Sequence, residues 1–536
     1  MELTLRLHSP GMTALHRAGL GGLAATLLAL EKNVRDSLTP FPAAMCPGAP
    51  WPDGKPPWDI EPHQITLQLG DDPKTFLERL FCYAFQTPAS DHSLSYLPGQ
   101  WGGTKSMEPE KIAVRVALQE GHLNAFQQPD RSWSKTSAQF ITYEPEPGKP
   151  LALQFKNPTM LKHAGFWKEL CQRNGLVKSV EIKSHHSPGT GERHVAIGSA
   201  AQIKEAPELA LALMFAPVGC LTLLVSYQEG VFIIPDIGDL SAFALARRHL
   251  TPQTSKDCRI GSAADAVLQA HVRLRLATGT DANGVDGSLA YALRQTAGSG
   301  IRKARVSSYT IHSGDSAALE KFETALRCLP PRLKVFERKQ PKPGELPVEA
   351  FWADSVIRPL IAENLALGLP WYQGFTRLMT ALDDRKRPLR DLVSFEKHSL
   401  HELTKAMPND TIGETRLIEA VHTAMRSRYG QIASDNEGNP VAMKNRFKGE
   451  YERLRLALSG AKTADTFRNA ICDLFARAGR SEPLQNHWQE LLPLLHDDRW
   501  QLSRDLSLLA LASYKGKGDE SLTAPIEEET DQAAES

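Results

Sequence analysis

The side chains whose type and spacing could do chemistry here are amides and cations, more than nucleophiles or metal ligands. In Gln100-Trp101-Gly102-Gly103-Thr104-Lys105 a side-chain amide, an indole and an ammonium share a glycine loop. Such a set can enter a nucleic-acid groove, bond a base edge or wedge a base step; a surface loop anchored by Trp101 is the plainer alternative. Between Ile301 and Lys342 bases outnumber acids, and Arg302, Lys303 and Arg305 directly follow Gly298-Ser299-Gly300. Phosphate contacts from these residues would be independent of base sequence and sensitive to salt. A second basic run holds Arg446, Lys448, Arg453 and Arg455, in which Arg446 with Arg453, and Lys448 with Arg455, are seven apart and so share a helix face. Glu450 and Glu452 lie within ion-pairing reach, so a solvated charged face accounts for part of this run. Arg17, beside His16 on an N-terminal helix of small residues, is a further candidate for a phosphate.

Enzymatic signatures are sparse. The sequence holds no G-x-x-x-x-G-K-[ST], H-E-x-x-H or G-x-S-x-G. Gly189-Thr190-Gly191 falls in a predicted hairpin loop, not between a strand and a helix. His185 and His186 with His194 could meet across that hairpin, but no cysteine or carboxylate joins them in sequence. His496-Asp497-Asp498 has the His-Asp pair of metal-dependent phosphohydrolases, a chemistry that needs further His and Asp ligands to hold metals that activate water. His422, His487, Asp465 and Asp473 are the available residues. Asp497 and Asp498 also suit a helix cap ahead of Trp500. The reading carries no cofactor, no metal and no catalytic residue.

The elements that must position these residues are legible from periodicity. Leu3, Leu5 and Leu7 alternate as a strand, and Thr13 can cap the helix that follows. Gly19, Gly21 and Gly22 inside that helix each cost about 1 kcal/mol relative to Ala, which implies another backbone lying close against it. A proline-rich segment from Leu38 to Pro62 reads as an irregular loop pinned by Trp51 and Trp58, or as a docking surface. Strands are predicted at Ile65–Leu69, and in hairpins pairing Gln139–Tyr143 with Leu151–Phe155, Val177–Lys183 with Arg193–Ile197, and Cys220–Ser226 with Val231–Pro235. Helices are predicted at Pro73–Phe85, Pro158–Asn174, Pro207–Phe215, Asp239–His249 and Ser262–Ala277. Asn283–Gly300 reads as a turn and short helix, and Ile301–His312 as a strand. From Glu349 onward only helices are expected, beginning with Glu349–Leu367. The fold class is α+β: a mixed N-terminal α+β body over 1–345, a C-terminal antiparallel helical bundle over 346–515, and a disordered acidic tail over 516–536.

Composition bounds the rest. At 536 residues, 41% hydrophobic and 23% charged, the chain has globular values and room for two or three domains. Lys+Arg and Asp+Glu both number 62, which argues against a simple basic nucleic-acid binder. The balance is uneven, however: Asp519, Glu520, Glu527, Glu528, Glu529, Asp531 and Glu535 leave the remainder modestly basic. Seven unpaired-looking cysteines, no signal-peptide order and no apolar run of about 20 residues place the chain in the cytoplasm, away from membranes.

The opening wording is the most specific feature. Met12-Thr13, Leu15-His16-Arg17-Ala18-Gly19-Leu20 and Gly22-Leu23, on a helix directly after the first strand, resemble the large subunit of a type I CRISPR interference complex (Cascade), in its Myxococcus-type variant. The helical third from Phe395-Glu396 to Tyr514 is a second, weaker likeness. The resemblance implies a large subunit without catalytic activity, seated at the 5′ end of a guide crRNA beside backbone subunits. It would read a short motif flanking the target (the PAM) in double-stranded DNA, promote R-loop formation and hold the displaced strand. A separate nuclease-helicase, or a transposition adaptor in some relatives, would be recruited. Spelling of the target would fall to base pairing, as in other RNA-guided effectors. Met407 and Met443 precede bundle helices, where an internal start could yield a free small subunit. An HD-type phosphohydrolase and a protein-protein adaptor using the proline-tryptophan loop remain the rival readings.

Overall fold

A computed structural model describes residues 1–36, 47, 51, 55–87, 94–102, 108–126, 138–156, 158, 161–172, 175–182, 203–226, 229–279, 283–295, 303–338, 348–383, 386–479 and 486–516. The chain forms two compact units: Met1–Glu323 with Pro331–Asp354, and Thr324–Pro330 with Ser355–Ser536.

The first unit opens with β1 (Glu2–Arg6) and α1 (Ala14–Asp36). Two short strands, β2 (Trp58–Ile60) and β3 (Gln64–Gln68), complete a three-stranded antiparallel sheet in the order β1-β3-β2. Trp51 donates to Pro47 O (2.9 Å) and meets Trp58 edge-on at 5.2 Å, so the tryptophans do pin the described part of the proline-rich segment. After α2 (Pro73–Ala84), the short α3 (Pro98–Trp101) and α4 (Pro109–Ala125) comes the hairpin of β4 (Gln139–Glu146) and β5 (Lys149–Phe155). The helix expected over Pro158–Asn174 is broken. A 3-10 turn at Lys162–Gly165 and α5 (Trp167–Leu170) give way to a tight pair, β6 (Cys171–Gln172) and β7 (Gly175–Leu176). His163, Phe166, Trp167 and Leu170 are all buried, which is the spacing of a helix face, but the backbone turns extended at Cys171 to pair with Leu176.

β8 (Val180–Ile182) pairs with β9 (Ile203–Glu205); the predicted partner strand over Arg193–Ile197, and the histidines and glycines of that loop, lie outside the described residues. Then α6 (Pro207–Met214) and α7 (Ala216–Gly219) lead into the main sheet. β10 (Leu221–Ser226), β11 (Glu229–Ile237), β12 (Val285–Gln295) and β13 (Lys303–His312) are antiparallel in sequence order, with α8 (Leu240–Leu250) and α9 (Ala263–Thr278) inserted between β11 and β12. Where a turn and short helix are expected over Asn283–Gly300, 296–300 lie outside the described residues and Val285–Gln295 is thus a strand. Its buried positions Ser288, Ala290 and Ala292 alternate but are small, because α9 lies close: His271 bonds Ser288 Oγ at 2.9 Å. α10 (Ser316–Cys328) follows, and the division between the units passes through it. β14 (Arg332–Glu337) and β15 (Val348–Ala353) form a further hairpin, so Glu349 belongs to a strand and not to the start of a helix, and the first unit runs to Asp354.

α1 is the core of this unit. From Ala18 to Leu27 every residue is buried, the condition of a helix packed on all sides. A Cβ on Gly19 would stand 2.0 Å from Ala212 O, and one on Gly22 2.3 Å from Phe215 O, so the glycines do seat α1 against the backbone of the α6–α7 corner.

The second unit is helical: α11 (Arg358–Ala366), α12 (Phe375–Thr380), α13 (Leu389–Phe395), α14 (Lys397–Ala406), α15 (Ile412–Asp435), α16 (Pro440–Ser459), α17 (Ala464–Ala478), α18 (Trp488–Leu491) and α19 (Trp500–Ser513). α19 is its axis. Asp505 through Ser513 are buried without a break, with α12, α14, α15, α16 and α17 packed around them. The buried Asp505 carboxylate accepts from Gly374 N (2.7 Å) and Thr376 N (3.0 Å), capping α12 from across the core.

Candidate nucleic-acid interface

In the first unit the candidate surface is built outward from one buried guanidinium. Arg247 and Arg248 are adjacent at the end of α8, yet they face opposite ways. Arg247 is fully buried, donating to Val218 O (2.6 Å), Cys220 O (2.7 Å) and Thr251 Oγ1 (3.0 Å), and burial lowers its pKa to about 10. Thr251 in turn donates to Gln100 O (2.9 Å), and Gln100 Nε2 to Pro217 O (2.7 Å). This chain of bonds fixes α3 between α1, α7 and α8, with Gly99 so close to Thr26 and Val218 that no side chain fits there. Gln100 is therefore only 6% exposed, and its amide is spent inside the fold. The expectation that it reads a base is corrected: it is the anchor of its loop. Trp101 is half-buried at the end of α3, and Gly102 (φ 68°) turns the chain out beside Arg248. Lys105 lies beyond it, outside the described residues.

Where Gly102 emerges, α1, α3 and α8 frame a groove of about 440 Å³. Lys32, Arg35, Arg248 and His249 line it, with Leu28 and the exposed Leu245 as apolar floor. Arg35 pairs with Glu31, whereas Lys32 and Arg248 meet no carboxylate among the described residues. His249 is held below the usual histidine range, first by burial and then by the neighbouring Arg248, so its neutral ring accepts from Arg248 Nε (3.2 Å). These four side chains were not singled out from sequence, although the run Arg247-Arg248-His249 was a signal; the bases also favour the negative ends of α1 and α8. The groove presents Lys32, Arg35 and Arg248 against the one lining carboxylate, Glu31, over a small apolar floor, which suits a phosphodiester strand.

The other first-unit candidates are placed differently. Arg17 donates twice to Asp236 Oδ1 (3.2 and 2.8 Å), so a phosphate there would have to displace a carboxylate. Its neighbour His16 accepts from Thr13 N (3.3 Å) and bonds Glu205 (2.7 Å), tying the start of α1 to β9. Lys303 and Arg305 stand at the start of the edge strand β13, in register with Gln295 and Leu293; their side chains and Arg302 lie outside the described residues.

In the second unit the seven-residue spacing in α16 separates two environments. Arg455 is buried, bonded to Glu452 (2.7 Å) and Met379 O (3.2 Å), and Arg453 is divided between Glu450 (2.9 Å) and Asp473 (3.0 Å). Both hold α16 against its neighbours, and their assignment as phosphate contacts is corrected accordingly. Their i−7 partners are free of this. From Pro440 to Gly449 no side chain of α16 is buried, and Lys444, Arg446 and Lys448 are exposed. This half of α16 lies against the end of α15, with Phe447 stacked on Tyr429 at 4.6 Å and Asn439 capping its first turn through Ala442 N (3.0 Å). From Arg426 to Gly449 the helical hairpin carries five bases and two acids.

The HD reading finds no support in this geometry. Asp497 accepts from Arg468 (2.7 Å), Asp465 is also bonded to Arg468, and Asp473 is shared by Arg453 and Arg477. Among the described residues no group of three or more His, Cys, Asp and Glu side chains is placed to hold a metal. The cap expected from Asp497 is not formed either: Arg499 is the N-cap of α19, without a side-chain bond.

Residues 4–214 match the DevT N-terminal domain and residues 408–536 the DevT C-terminal domain. The chain belongs to the Myxococcus-type family of large subunits of the type I CRISPR interference complex, as its opening motif implied. Along nearly its whole length it is similar to the CRISPR-associated protein Cas8a1/Csx13 of Myxococcus xanthus (strain DK1622): 33% identity over 544 residues, covering 99% of this chain and 91% of that protein. No helix among the described residues is long and apolar enough to cross a membrane.

Proposed function

We propose that this large subunit reads the flanking motif of a DNA target in an RNA-guided Cascade complex, promotes strand separation and recruits a separate effector, with no catalytic step of its own. The observation that carries the reading is the end-to-end similarity to a Cas8-type protein. The two cationic surfaces supply a physical route. In the first unit the groove beside Gly102 would take a phosphate strand through Lys32, Arg35 and Arg248, while the segment leaving it, with Thr104 and Lys105, meets the base edges. In the second unit Lys444, Arg446 and Lys448 would hold a single strand by its backbone. Guide crRNA and the other Cascade backbone subunits complete the assembly in the cytoplasm. The recruited partner is a nuclease-helicase or a transposition adaptor.

Met407 directly precedes the C-terminal family match, and a start there would keep α15 to α19 whole, whereas a start at Met443 would discard α15 and the Asn439 cap. Expression from the intact reading frame should therefore yield a second product beginning at Met407; a single full-length band would exclude it.

The test of the first-unit surface is an assembled complex carrying Lys32→Glu and Arg248→Glu. It should lose about tenfold or more in affinity for duplex targets at low salt, since each lost phosphate contact removes released counterions. Replacing Lys105 by Ala should instead weaken discrimination between flanking motifs. Unchanged affinity in the first variant and unchanged discrimination in the second would refute the assignment of this groove.

A further inference from the structure

The hairpin of β14 and β15 turns an aromatic face to solvent. In its register Arg332 lies opposite Ala353, Lys334 opposite Phe351 and Phe336 opposite Glu349, so these six side chains share one face. The other face carries Leu333 and Ala350, both buried. The hairpin is also held by its neighbour: β5 packs against β15, and Lys149 Nζ donates to Leu333 O (3.2 Å). The backing is fixed, and the rings are on the wrong side of it for a core. Phe336 is 37% and Phe351 46% exposed. They are diagonal neighbours across the ladder, with ring centroids 6.0 Å apart and planes tilted by 55°. The Arg338 guanidinium lies over the Phe336 ring at 5.0 Å, held there by its bond to Glu349 Oε2 (2.6 Å). Single exposed apolar side chains need no explanation, but two rings in contact, one under an oriented guanidinium, are a built patch.

Charge selects its occupant. Arg332, Lys334 and Arg338 belong to the basic stretch between Ile301 and Lys342, and on this face they stand against one carboxylate, Glu349, which already accepts from Arg338. Exposed rings interleaved with cations suit splayed nucleobases, since a ring stacks on any base while the cations meet the phosphates. A duplex cannot use the pair: its bases are stacked on one another, and two rings tilted by 55° fit no parallel stack. RNA is told from DNA by contacts to its 2′-hydroxyl, and the one carboxylate that could accept from it here is engaged by Arg338. We propose that the solvent face of β14–β15 is a stacking platform for single-stranded DNA, with Phe351 and Phe336 taking neighbouring unstacked bases and Lys334 and Arg332 the adjoining phosphates. Arg338 is a positioning residue that orients Phe336. The proposal rests on reading the chain as a subunit that holds DNA strands, but it uses neither the groove beside Gly102 nor the cations of α16.

The experiment compares the full chain with three variants: Phe336→Ala with Phe351→Ala, Phe351→Trp, and Lys334→Gln. The probes are a fluorescent single-stranded DNA of about a dozen nucleotides, a strand of the same length with abasic sites in place of its bases, and an RNA of the same sequence. Anisotropy at about 50 mM salt gives the affinities. The double alanine variant should bind the ordinary strand about tenfold or more weakly and the abasic strand as before, with its urea midpoint unchanged because both rings are on the solvent face. Phe351→Trp should keep the affinity. Lys334→Gln should weaken both DNA strands alike and lower the salt slope by about 0.7. If the double variant binds the ordinary strand as tightly as the original chain, while Lys32→Glu with Arg248→Glu weakens it, the platform is refuted and the strand-holding reading stands. If the original chain binds no strand at all, that reading falls with it. Equal losses on ordinary and abasic strands would refute stacking, and RNA held more tightly than DNA through the same rings would overturn the choice of DNA. Unchanged DNA binding with a lowered yield of the assembled complex would make this face a subunit contact instead.

Discussion

At the scale of the residue, the same side-chain type serves opposite ends, and burial decides which. Arg247 is a cation with three neutral partners and no carboxylate, so removing it strands two backbone carbonyls and the Thr251–Gln100 link. Arg247→Met should destabilise the first unit by about 3 kcal/mol, the range for breaking a buried charged network. A lowered denaturant midpoint checks it, and the accompanying loss of protection at Gln100 in hydrogen exchange distinguishes it from a generic effect. On α16 the prediction has opposite signs for members of one run. Reversing Lys444, Arg446 and Lys448 should leave the midpoint unchanged and lower the salt slope of DNA binding by up to about 0.7–0.9 per lost contact. Arg455→Ala should lower the midpoint, because Glu452 and Met379 O lose the partner that satisfies them. Acid sensitivity also belongs here. His122 and His271 are buried with pKa values lowered to about 4, in both cases chiefly by burial, and neither ring nitrogen of His122 has a hydrogen-bond partner among the described residues. Their unfolded forms titrate near 6.5, so between about pH 6.5 and 4 the unfolded state binds more protons and stability drops as the pH is lowered. Above 6.5 both states are neutral and the contribution is flat. At pH 5 the loss should be about 2 kcal/mol per residue, and His122→Phe should remove its share in urea unfolding at pH 7.5 against pH 5.0.

At the scale of the element, α1 governs the first unit because its glycines admit a second backbone. Gly19→Ala gains about 1 kcal/mol of helix propensity but drives a methyl to within 2.0 Å of a carbonyl that cannot rotate away. Overpacking of that kind costs about 1–3 kcal/mol, and here the neighbour is backbone, so the clash should win and the thermal midpoint should drop. A midpoint that rises would mean the α6–α7 corner gives way. This helix was legible from sequence, since three glycines inside one apolar helix call for a backbone in close contact, and so were the β4–β5 and β10–β11 hairpins and the long capped helices. β12 was not: its large residues Leu289 and Tyr291 alternate with small ones that form the buried side, so the usual link between size and burial is reversed by the closeness of α9. β14 and β15 were missed because their hairpin is mostly exposed, with one buried residue in each strand, so neither shows the alternation of a half-buried strand. The segment from Lys162 to Leu176 was misread because its buried side chains keep helical spacing up to the residue where the backbone turns extended. Within the site, sequence located the α16 run but not the point along it where the neighbouring helices stop. It located the Gln100 loop but not which end of it faces inward.

At the scale of the whole molecule, a formal charge of zero conceals a division of labour: acids concentrated beyond Gly516, bases free on two surfaces, and many of the remaining charges paired within their unit. Under the proposed function such a protein would need no cluster of catalytic groups: its work would be to hold strands while a guide spells the target. The most direct measurement is the affinity of the assembled complex, with and without this chain, for duplex targets that differ only in the flanking motif. With the chain present, the correct flank should be preferred by about tenfold or more, the worth of one good base-edge contact, and without it the preference should vanish. A preference that persists without the chain, or none in its presence, would contradict the account.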